Sequence, residues 1–217
     1  RWSSVIYGLM TLFFITLMVA NLFTLGIIDD QEVVLQCIRL VAASTTLVLT
    51  FLYLLVQALA QEAGAPHINK DINRALFWLS IAVVVVDITP LAFTDVTLVA
   101  RATPQVSVNW GAAVFAIHAI GLMSLTVAHL LKEVIKGPKR RRGQNASILI
   151  GILPAIFIAP VTSFILPVIY GLTGFVALTP FYILFFIVMV AYAMIRHGLF
   201  DIRLAAVRTA AYVLTLL

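Results

Sequence analysis

Long apolar stretches, each ended by a short polar segment, dominate the pattern of hydrophobic positions along this chain. Residues 181–195 contain no ionisable side chain, and with their flanks they reach the roughly 20 residues that a helix needs to cross a bilayer. Arg196 and His197 end this stretch, and Gly198 breaks the helix. Five earlier stretches predict helices at residues 4–28, 33–60, 75–91, 110–131 and 146–170. The pattern therefore predicts an all-α, polytopic transmembrane helix bundle with six complete spans.

The polar segments between the predicted helices carry further expectations. The segment that contains Gly64 and Pro66 has mixed charges, which is typical of a connection exposed to water. Residues 93–109 are polar and long enough to contain a short surface helix. Residues 204–217 are apolar and predict the start of a further transmembrane or linker helix. The expected organisation is thus a transmembrane helix bundle at 1–203 followed by this segment, in a piece of a longer protein.

Composition agrees with a membrane protein. The chain is 63% apolar and 11% charged, whereas soluble domains carry about 25% charged residues. Its one cysteine, Cys37, excludes an intrachain disulfide and a cysteine metal cluster. The net charge of +5 requires no nucleic-acid partner, because the basic cluster at residues 139–142 fits a loop beside anionic lipid headgroups.

The positions of the cationic residues predict the orientation of the bundle. If the loop after the fourth helix is cytoplasmic, 12 of the 14 Lys and Arg residues lie on the cytoplasmic side, as the positive-inside rule requires. The exceptions are Arg101 outside and Arg39 within a span. The twelve are Arg1, Lys70, Arg74, Lys132, Lys136, Lys139, Arg140, Arg141, Arg142, Arg196, Arg203 and Arg208. We therefore expect a multi-pass protein of the cell inner membrane, with its basic loops and the end of the sixth helix in the cytoplasm.

The last third of the chain carries a family resemblance. It reads GQNASILIGILPAIFIAPVTSFILPVIYGLTG and then VALTPFYILFFIVMVAYAMIRHGLFDI, with Gln144 after the basic loop and Thr179 and Pro180 opening the sixth helix. These segments resemble the final two helices of the N-terminal seven-transmembrane sensory region of bacterial histidine kinases and related diguanylate cyclases. The family has one helix before the point that corresponds to the start of this chain, so the first helix here corresponds to its second.

The resemblance implies a sensory input domain that passes an external or membrane signal to a cytoplasmic kinase or cyclase module in the same full-length chain. No phosphoacceptor box, ATP-binding glycine box or cyclase motif can be read in these residues, so we expect no enzymatic activity from this chain itself. His197 follows a membrane helix directly and is not proposed as a phosphorylated histidine. Membrane lipids and an unknown ligand or stimulus are the expected partners, no cofactor is expected, and homodimerisation stays open.

Arg39 and Asp87 are the main candidates for a ligand-binding site. Counted from the predicted helix ends, both lie near the outer face of neighbouring helices. A charge at such a depth faces the bundle or a water-filled cavity, usually with a partner. Two readings stay open. One is structural, with an ion pair that fixes the second helix to the third or an Arg39 side chain that extends to the membrane interface, and the other is a polar floor for an outward-opening ligand pocket. Both predict that the two side chains approach each other.

Polar residues also recur along one face of the second helix, at spacings of three and four residues, and this face should point into the bundle. The polar residues are Arg39, Thr46, Thr50, Tyr53 and Gln57, and Ala43 lies on the same face. Hydrogen-bonded packing between helices and a path for a solute are both compatible with such a face. Tyr53, Trp110 and His118 complete the ligand-binding candidates, although an interfacial aromatic belt also accounts for Trp110.

His118 and His129 lie eleven residues apart on the fourth helix and therefore share nearly one face. A neutral histidine bonded to a neighbouring helix and a proton-responsive group are both compatible with His118. The two rings are about 16 Å apart by helical rise, and no third ligand lies nearby in sequence, so no metal site is expected.

Three functions compete for this sequence: the sensory input domain, a small multi-pass transporter or permease subunit, and a retinal-type photoreceptor. A transporter needs a continuous polar path and opposed half-helices, and only the proline-rich fifth helix suggests these. A retinal Schiff base needs a lysine in the middle of a helix. The four lysines lie in or beside predicted cytoplasmic loops, which argues against the photoreceptor: Lys70, Lys132, Lys136 and Lys139.

Overall fold

The computed structural model describes residues 2–24, 30–62, 70–98, 104–137, 139–160, 162 and 179–196. These residues form six helices and a two-stranded sheet. In chain order the elements are α1 (Trp2–Thr24), α2 (Gln31–Glu62), α3 (Lys70–Asp87), β1 (Phe93–Thr97), β2 (Gln105–Val108), α4 (Trp110–Lys136), α5 (Lys139–Pro160) and α6 (Thr179–Arg196). The prediction of a mainly helical chain is confirmed. The segment 204–217 and the boundary at 203 lie outside the described residues.

Three helices in the described part of the chain are long and apolar enough to cross a membrane. They are Trp2–Phe23 in α1, Gln31–Gln61 in α2 and Trp110–Lys136 in α4. Large apolar side chains, including Leu12 on α1 and Ile117 on α4, remain exposed on the faces that point away from the bundle. Such a continuous apolar exterior is expected where lipid surrounds the helices.

Polar side chains cap the starts of α2 and α4, and a proline follows the end of α3. The Asp30 carboxylate accepts hydrogen bonds from the backbone N–H groups of Glu32 and Val33, at 2.9 and 3.3 Å, and so caps α2. Asn109 caps α4 in the same way, at 2.8 Å. The third helix ends at Asp87 rather than at the predicted residue 91, because a residue that precedes proline disfavours the helical conformation and the chain turns here.

A β-hairpin replaces the surface helix that the sequence pattern suggested, so both that prediction and the all-α assignment are wrong for this segment. Strands β1 and β2 pair antiparallel, with Val96 opposite Val106 and Thr97 opposite Gln105. Val96 is buried, whereas its neighbours Asp95 and Thr97 are exposed. A buried side chain between two exposed neighbours, with the β-branched residues Val96, Thr97 and Val106 among the paired positions, is typical of a strand. We refer to β1 and β2 together as the hairpin.

The second helix lies at the centre of the bundle and contacts α1, α3, α4 and β1. One continuous group of buried apolar side chains joins α2 to α1, α4, α5 and α6, and we call it the apolar cluster. Its members are Met10, Phe14, Leu17, Val48, Leu52, Leu55, Val56, Leu59, Leu130, Ile148, Ile152, Phe186 and Val190. None of its members comes from α3, so α3 must be held by other contacts.

Two glycines allow helices to approach closely. A Cβ atom on Gly151 of α5 would lie 2.7 Å from the Met189 Cβ of α6, which is closer than real Cβ contacts. A Cβ on Gly111 of α4 would lie 2.7 Å from Val86 Cγ1 and 2.5 Å from the Leu91 carbonyl oxygen. Small residues at such positions let helix backbones pack tightly, as they do between membrane helices.

Candidate functional site

Polar side chains that are buried or half-buried join α2 to α3 and continue to α4. We call this row the polar column: Arg39, Thr46, Thr50 and Gln57 of α2, Asn73, Ser80 and Asp87 of α3, and His118 of α4. The α2 members, together with Ala43 and Tyr53, are all buried. The predicted inward orientation of the polar face of α2 is therefore confirmed.

Asp87 lies at the end of α3 that leads to the hairpin. Its side chain is fully buried, and its Oδ2 accepts a 2.8 Å hydrogen bond from the Thr46 hydroxyl. Its Oδ1 is buried without a hydrogen-bond partner. A buried polar atom left unbonded costs about 1–3 kcal/mol, and Asp87 is also the last residue of α3, where the helix dipole disfavours negative charge. The fold therefore keeps this carboxyl at an energetic cost.

Thr50, Ser80 and His118 join three helices at one point of the column. The Thr50 hydroxyl lies 2.8 Å from the Ser80 Oγ, and the Ser80 Oγ lies 3.1 Å from the His118 Nε2. Both hydroxyls also have a carbonyl within reach on their own helix, at 2.8 Å: the carbonyl of Thr46 for Thr50 and that of Leu76 for Ser80. Each hydroxyl has one proton, so only some of these bonds form at the same time.

The His118 tautomer decides which arrangement is present. A proton on Nε2 makes His118 the donor to Ser80, whose own proton then goes to the Leu76 carbonyl. A proton on the other ring nitrogen lets Ser80 donate to Nε2 and lets Thr50 donate to Ser80. Two hydrogen-bond patterns therefore exist for the same heavy-atom positions. The site can change its pattern without moving a helix.

Gln57 and Asn73 close the column at the end farthest from the hairpin. The Asn73 Nδ2 donates to the Gln57 Oε1 at 2.6 Å. The Gln57 Nε2 and the Asn73 Oδ1 are buried without hydrogen-bond partners. This pair therefore uses half of its hydrogen-bonding capacity, and it links α2 to α3 through a single bond between side chains.

Arg39 contacts the hairpin instead of Asp87. Its Nε and Nη2 donate to the Phe93 carbonyl oxygen at 3.3 and 2.8 Å, and its side chain is 8% exposed. The structure records no ion pair between Arg39 and Asp87. The expected direct contact between these two candidates is therefore wrong, although both lie where α2 faces α3 and the segment that follows it.

The register of two antiparallel helices explains this outcome. Gln57 pairs with Asn73, and one step of seven residues along each helix leads to the pair of Thr50 and Ser80. Thr46 then meets Asp87, and Arg39 lies seven residues beyond Thr46, about 10 Å along the helix axis. Arg39 is thus level with the chain that follows α3, where it meets Phe93.

The remaining candidates lie outside this network or at its border. Tyr53 is buried and packs with Leu49 and Leu122. Trp110 is 55% exposed at the start of α4, an arrangement that suits an interfacial tryptophan better than the roof of a pocket. The His129 Nε2 is buried without a hydrogen-bond partner.

The described part of the chain contains neither a cluster of metal ligands nor a lysine in the middle of a helix, where a retinal Schiff base would form. No group of three or more His, Cys, Asp or Glu side chains gathers there. Lys70 begins α3, Lys132 and Lys136 lie in the last turns of α4, and Lys139 begins α5. A pocket of about 360 Å³ at the start of α2, beside Asp30, Glu32 and Cys37, contains no member of the polar column.

Sequence reasoning missed Ser80 and Asn73, although a signal for them exists. Asn73, Ser80 and Asp87 follow each other at intervals of seven residues, and such positions lie on one face of a helix. The same interval separates Ala43, Thr50 and Gln57 on α2, and the last two of these meet Ser80 and Asn73. A comparison of the two series would have indicated that the faces meet.

No protein-family model, curated protein or solved structure matches this chain.

Proposed function

We propose that this chain is the membrane-embedded sensory input domain of a bacterial signal-transduction protein of the histidine kinase type. The observation that carries the proposal is the connection between the hairpin and the interior of the bundle. Arg39 binds the first residue of β1, and the same helix places Thr46 and Thr50 in the contacts that join α2, α3 and α4. An event at the hairpin therefore acts on the contacts that hold three helices in register.

The sequence of the last two helices supports the same proposal. The segments on either side of Thr179 resemble the closing helices of the sensory region of histidine kinases and related cyclases. In the structure, α5 and α6 pack closely, with Gly151 of α5 against Met189 of α6. In the proposed protein α6 connects the bundle to a kinase or cyclase module, which is the enzymatic part of the full-length chain.

The distribution of positive charge supplies the proposed orientation. The hairpin faces the outside of the cell inner membrane, and the end of the bundle with Lys132, Lys136 and Arg142 faces the cytoplasm. The basic residues at this end contact anionic lipid headgroups. Arg39 is a cation within a span, which the positive-inside rule does not explain. Its two hydrogen bonds to the Phe93 carbonyl stabilise the guanidinium there.

In this proposal the signal is a shift between two arrangements of α2 and α3. A ligand, lipid or membrane state can cause such a shift only if it interacts unequally with the two arrangements. The two arrangements of α2 and α3 can have similar energies, since the Thr50 and Ser80 hydroxyls each keep a carbonyl partner on their own helix when the facing helix moves. Small differences in binding energy can then decide between them.

A small transporter or permease subunit is the second candidate. The observation that favours it is the polar column itself, because a row of polar side chains across three helices could line the path of a solute. The two candidates differ in what the column does. In a sensor its variants change an output, whereas in a transporter they change the flux of a solute.

A chimera tests the proposal directly. A diguanylate cyclase module is joined behind Leu217, and the cyclic dinucleotide is measured in cells that produce each variant. Arg39→Ala and Ser80→Ala should shift the output, because they remove the contact to the hairpin and the connection of three helices. Arg74→Ala and Ser147→Ala are the matched controls, since Arg74 is exposed and Ser147 bonds within its own helix.

Equal output from all four correctly inserted variants would contradict the sensory proposal. Uptake of a solute into vesicles, lost in the column variants and kept in the controls, would establish the transporter instead. The orientation is tested separately in a Cys37→Ser background. A cysteine placed at Thr94 should react with an impermeant reagent in whole cells, and a cysteine at Arg142 should not.

A further inference from the structure

Asp87 is a buried acidic residue whose carboxyl group is only partly hydrogen-bonded. Its side chain has no exposed surface, one oxygen accepts from Thr46, and the other has no hydrogen-bond partner. It differs in this respect from Asp95 of the hairpin, which is exposed and accepts a hydrogen bond from the Val96 backbone at 2.7 Å. The chain contains a buried and an exposed aspartate only eight residues apart, which makes a matched comparison available.

The charged and titratable groups of the elements packed around Asp87 are few. The second helix contributes Arg39, which is bonded to the Phe93 carbonyl about two turns away from Thr46. The nearest titratable group of α4 is His118, which is bonded to Ser80 on the inner part of the column. No Lys, Arg or His in the described ranges forms an ion pair with Asp87.

An ionised carboxylate in this position would be a buried charge without a counter-ion. Such a charge is far more costly than a neutral carboxyl with one unbonded oxygen, above all between helices that lipid surrounds. A metal ion does not offer a solution, because no second and third ligating side chain gathers here among the described residues. The species that fits a single carboxyl with a hydroxyl donor is a proton.

We propose that Asp87 is a proton-binding site and that its carboxyl carries the proton in this structure. Loss of the proton draws Arg39 away from the hairpin and towards the carboxylate. When the proton leaves to water, the carboxyl becomes a carboxylate, and Arg39 is the nearest cation on the facing helix. The guanidinium then gives up its two bonds to the Phe93 carbonyl, which hold β1 on the bundle. Proton binding and the position of the hairpin are therefore coupled, in a sensor and in a transporter alike.

Infrared difference spectroscopy tests the proton site without any signalling module. The whole chain is reconstituted in phosphatidylcholine vesicles that contain phosphatidylglycerol, and spectra are recorded while the pH is raised stepwise. The wild type should lose a carboxylic C=O stretching band typical of an apolar environment. The band should be absent from Asp87→Asn and unchanged in Asp95→Asn. A wild-type spectrum that equals the Asp87→Asn spectrum at every pH at which the protein is folded would overturn the proposal.

Hydrogen exchange of the hairpin amides tests the coupling. At high pH, residues 93–97 should exchange faster in the wild type than in Asp87→Asn at the same pH, and at low pH the two should agree. Asp87→Glu, which keeps a titrating group if Asp87→Asn fails to insert, should shift the pH at which exchange accelerates. Equal exchange in wild type and Asp87→Asn throughout would overturn the release of Arg39. A purely structural role for Asp87 predicts that equality.

Discussion

Two sides of α2 are held by different chemistry. On one side, side chains such as Phe14, Leu55 and Phe186 belong to an apolar cluster that joins α1, α4, α5 and α6 to the central helix. On the other side, α3 has three buried residues, and two of them, Ser80 and Asp87, are polar. The same helix therefore presents a dry, apolar face to most of the bundle and a hydrogen-bonding face to α3.

The difference matters because lipid is as apolar as the side chains in the apolar cluster. Apolar contacts between membrane helices gain from close packing but not from the exclusion of water, so they tolerate changes of register. A hydrogen bond between side chains requires both partners at the same level along the helix axis. A shift of one helix by a single residue therefore breaks it. We infer that the apolar cluster determines how closely the helices pack, and that the polar column determines where α3 lies along α2.

The largest effect is expected on the apolar side, from Gly151→Leu. Its side chain meets Met189 on α6, so α5 and α6 must separate. Overpacking of this kind costs about 3 kcal/mol of unfolding free energy, measured by denaturant titration in detergent micelles. Gly8→Leu is the control, because nothing lies within 4 Å of a Cβ at Gly8. Equal losses in the two variants would show that α5 and α6 do not pack closely at this point.

Arg39→Ala should give the next largest effect, with a loss of about 2 kcal/mol, because it removes two hydrogen bonds from a charged donor. Amide exchange in β1 should accelerate more than exchange in α2, since Phe93 loses its partner. Arg74→Ala should change neither quantity, because Arg74 and Asp71 form an exposed pair at 3.9 Å. A hairpin that exchanges at the wild-type rate in Arg39→Ala would argue against Arg39 as its anchor.

Ser80→Ala removes a group that lies between two neighbouring helices, and we expect a loss of about 1 kcal/mol. The reason is that Thr50 and His118 lose their common partner, while Thr50 keeps the Thr46 carbonyl. The matched substitution Ser147→Ala should be nearly neutral, since that hydroxyl bonds the Gly143 carbonyl of its own helix at 3.0 Å. The comparison fails if the two serine variants have the same denaturation midpoint.

The smallest expected loss of stability comes from substitutions of two adjacent threonines, Thr45 and Thr46. Thr46→Val keeps the shape of the side chain and removes the donor to Asp87, at a cost of about 0.6 kcal/mol, the average for hydrogen bonds between membrane helices. Thr45→Val removes a hydroxyl that bonds the Val41 carbonyl within α2, so its effect should be smaller still. If Thr45→Val destabilises the protein more than Thr46→Val, the bond to Asp87 does not contribute to stability.

The presence of the helices and the inward face of α2 could be predicted from the sequence because both depend on local periodicity. The helix starts were less accurate, since α3 begins at Lys70 and α5 at Lys139, and the basic cluster expected in a loop therefore begins α5. The sixth helix was expected at 181–195 and occupies Thr179–Arg196. The burial of Thr46 and Thr50 follows from the same spacing argument. These features require no knowledge of which helices are neighbours.

The relation between Arg39 and Asp87 could not be predicted in the same way. Their depths were counted from predicted helix ends, and α3 ends at Asp87 itself, several residues earlier than expected. The actual register is set by pairs of side chains, such as Thr50 with Ser80, that become partners only when the helices dock. The hairpin was missed for a related reason, since a strand of five residues gives a weak signal until its partner strand is known.

The hydroxyl groups of Thr50 and Ser80 allow the contact between α2 and α3 to break and form again at low cost. Each can return its proton to a carbonyl one turn back on its own helix when the facing helix moves away. The amides of Gln57 and Asn73 have no such reserve, because each already has an unbonded atom. We therefore expect the two helices to separate more easily at the level of Ser80 than at the amide pair of Gln57 and Asn73.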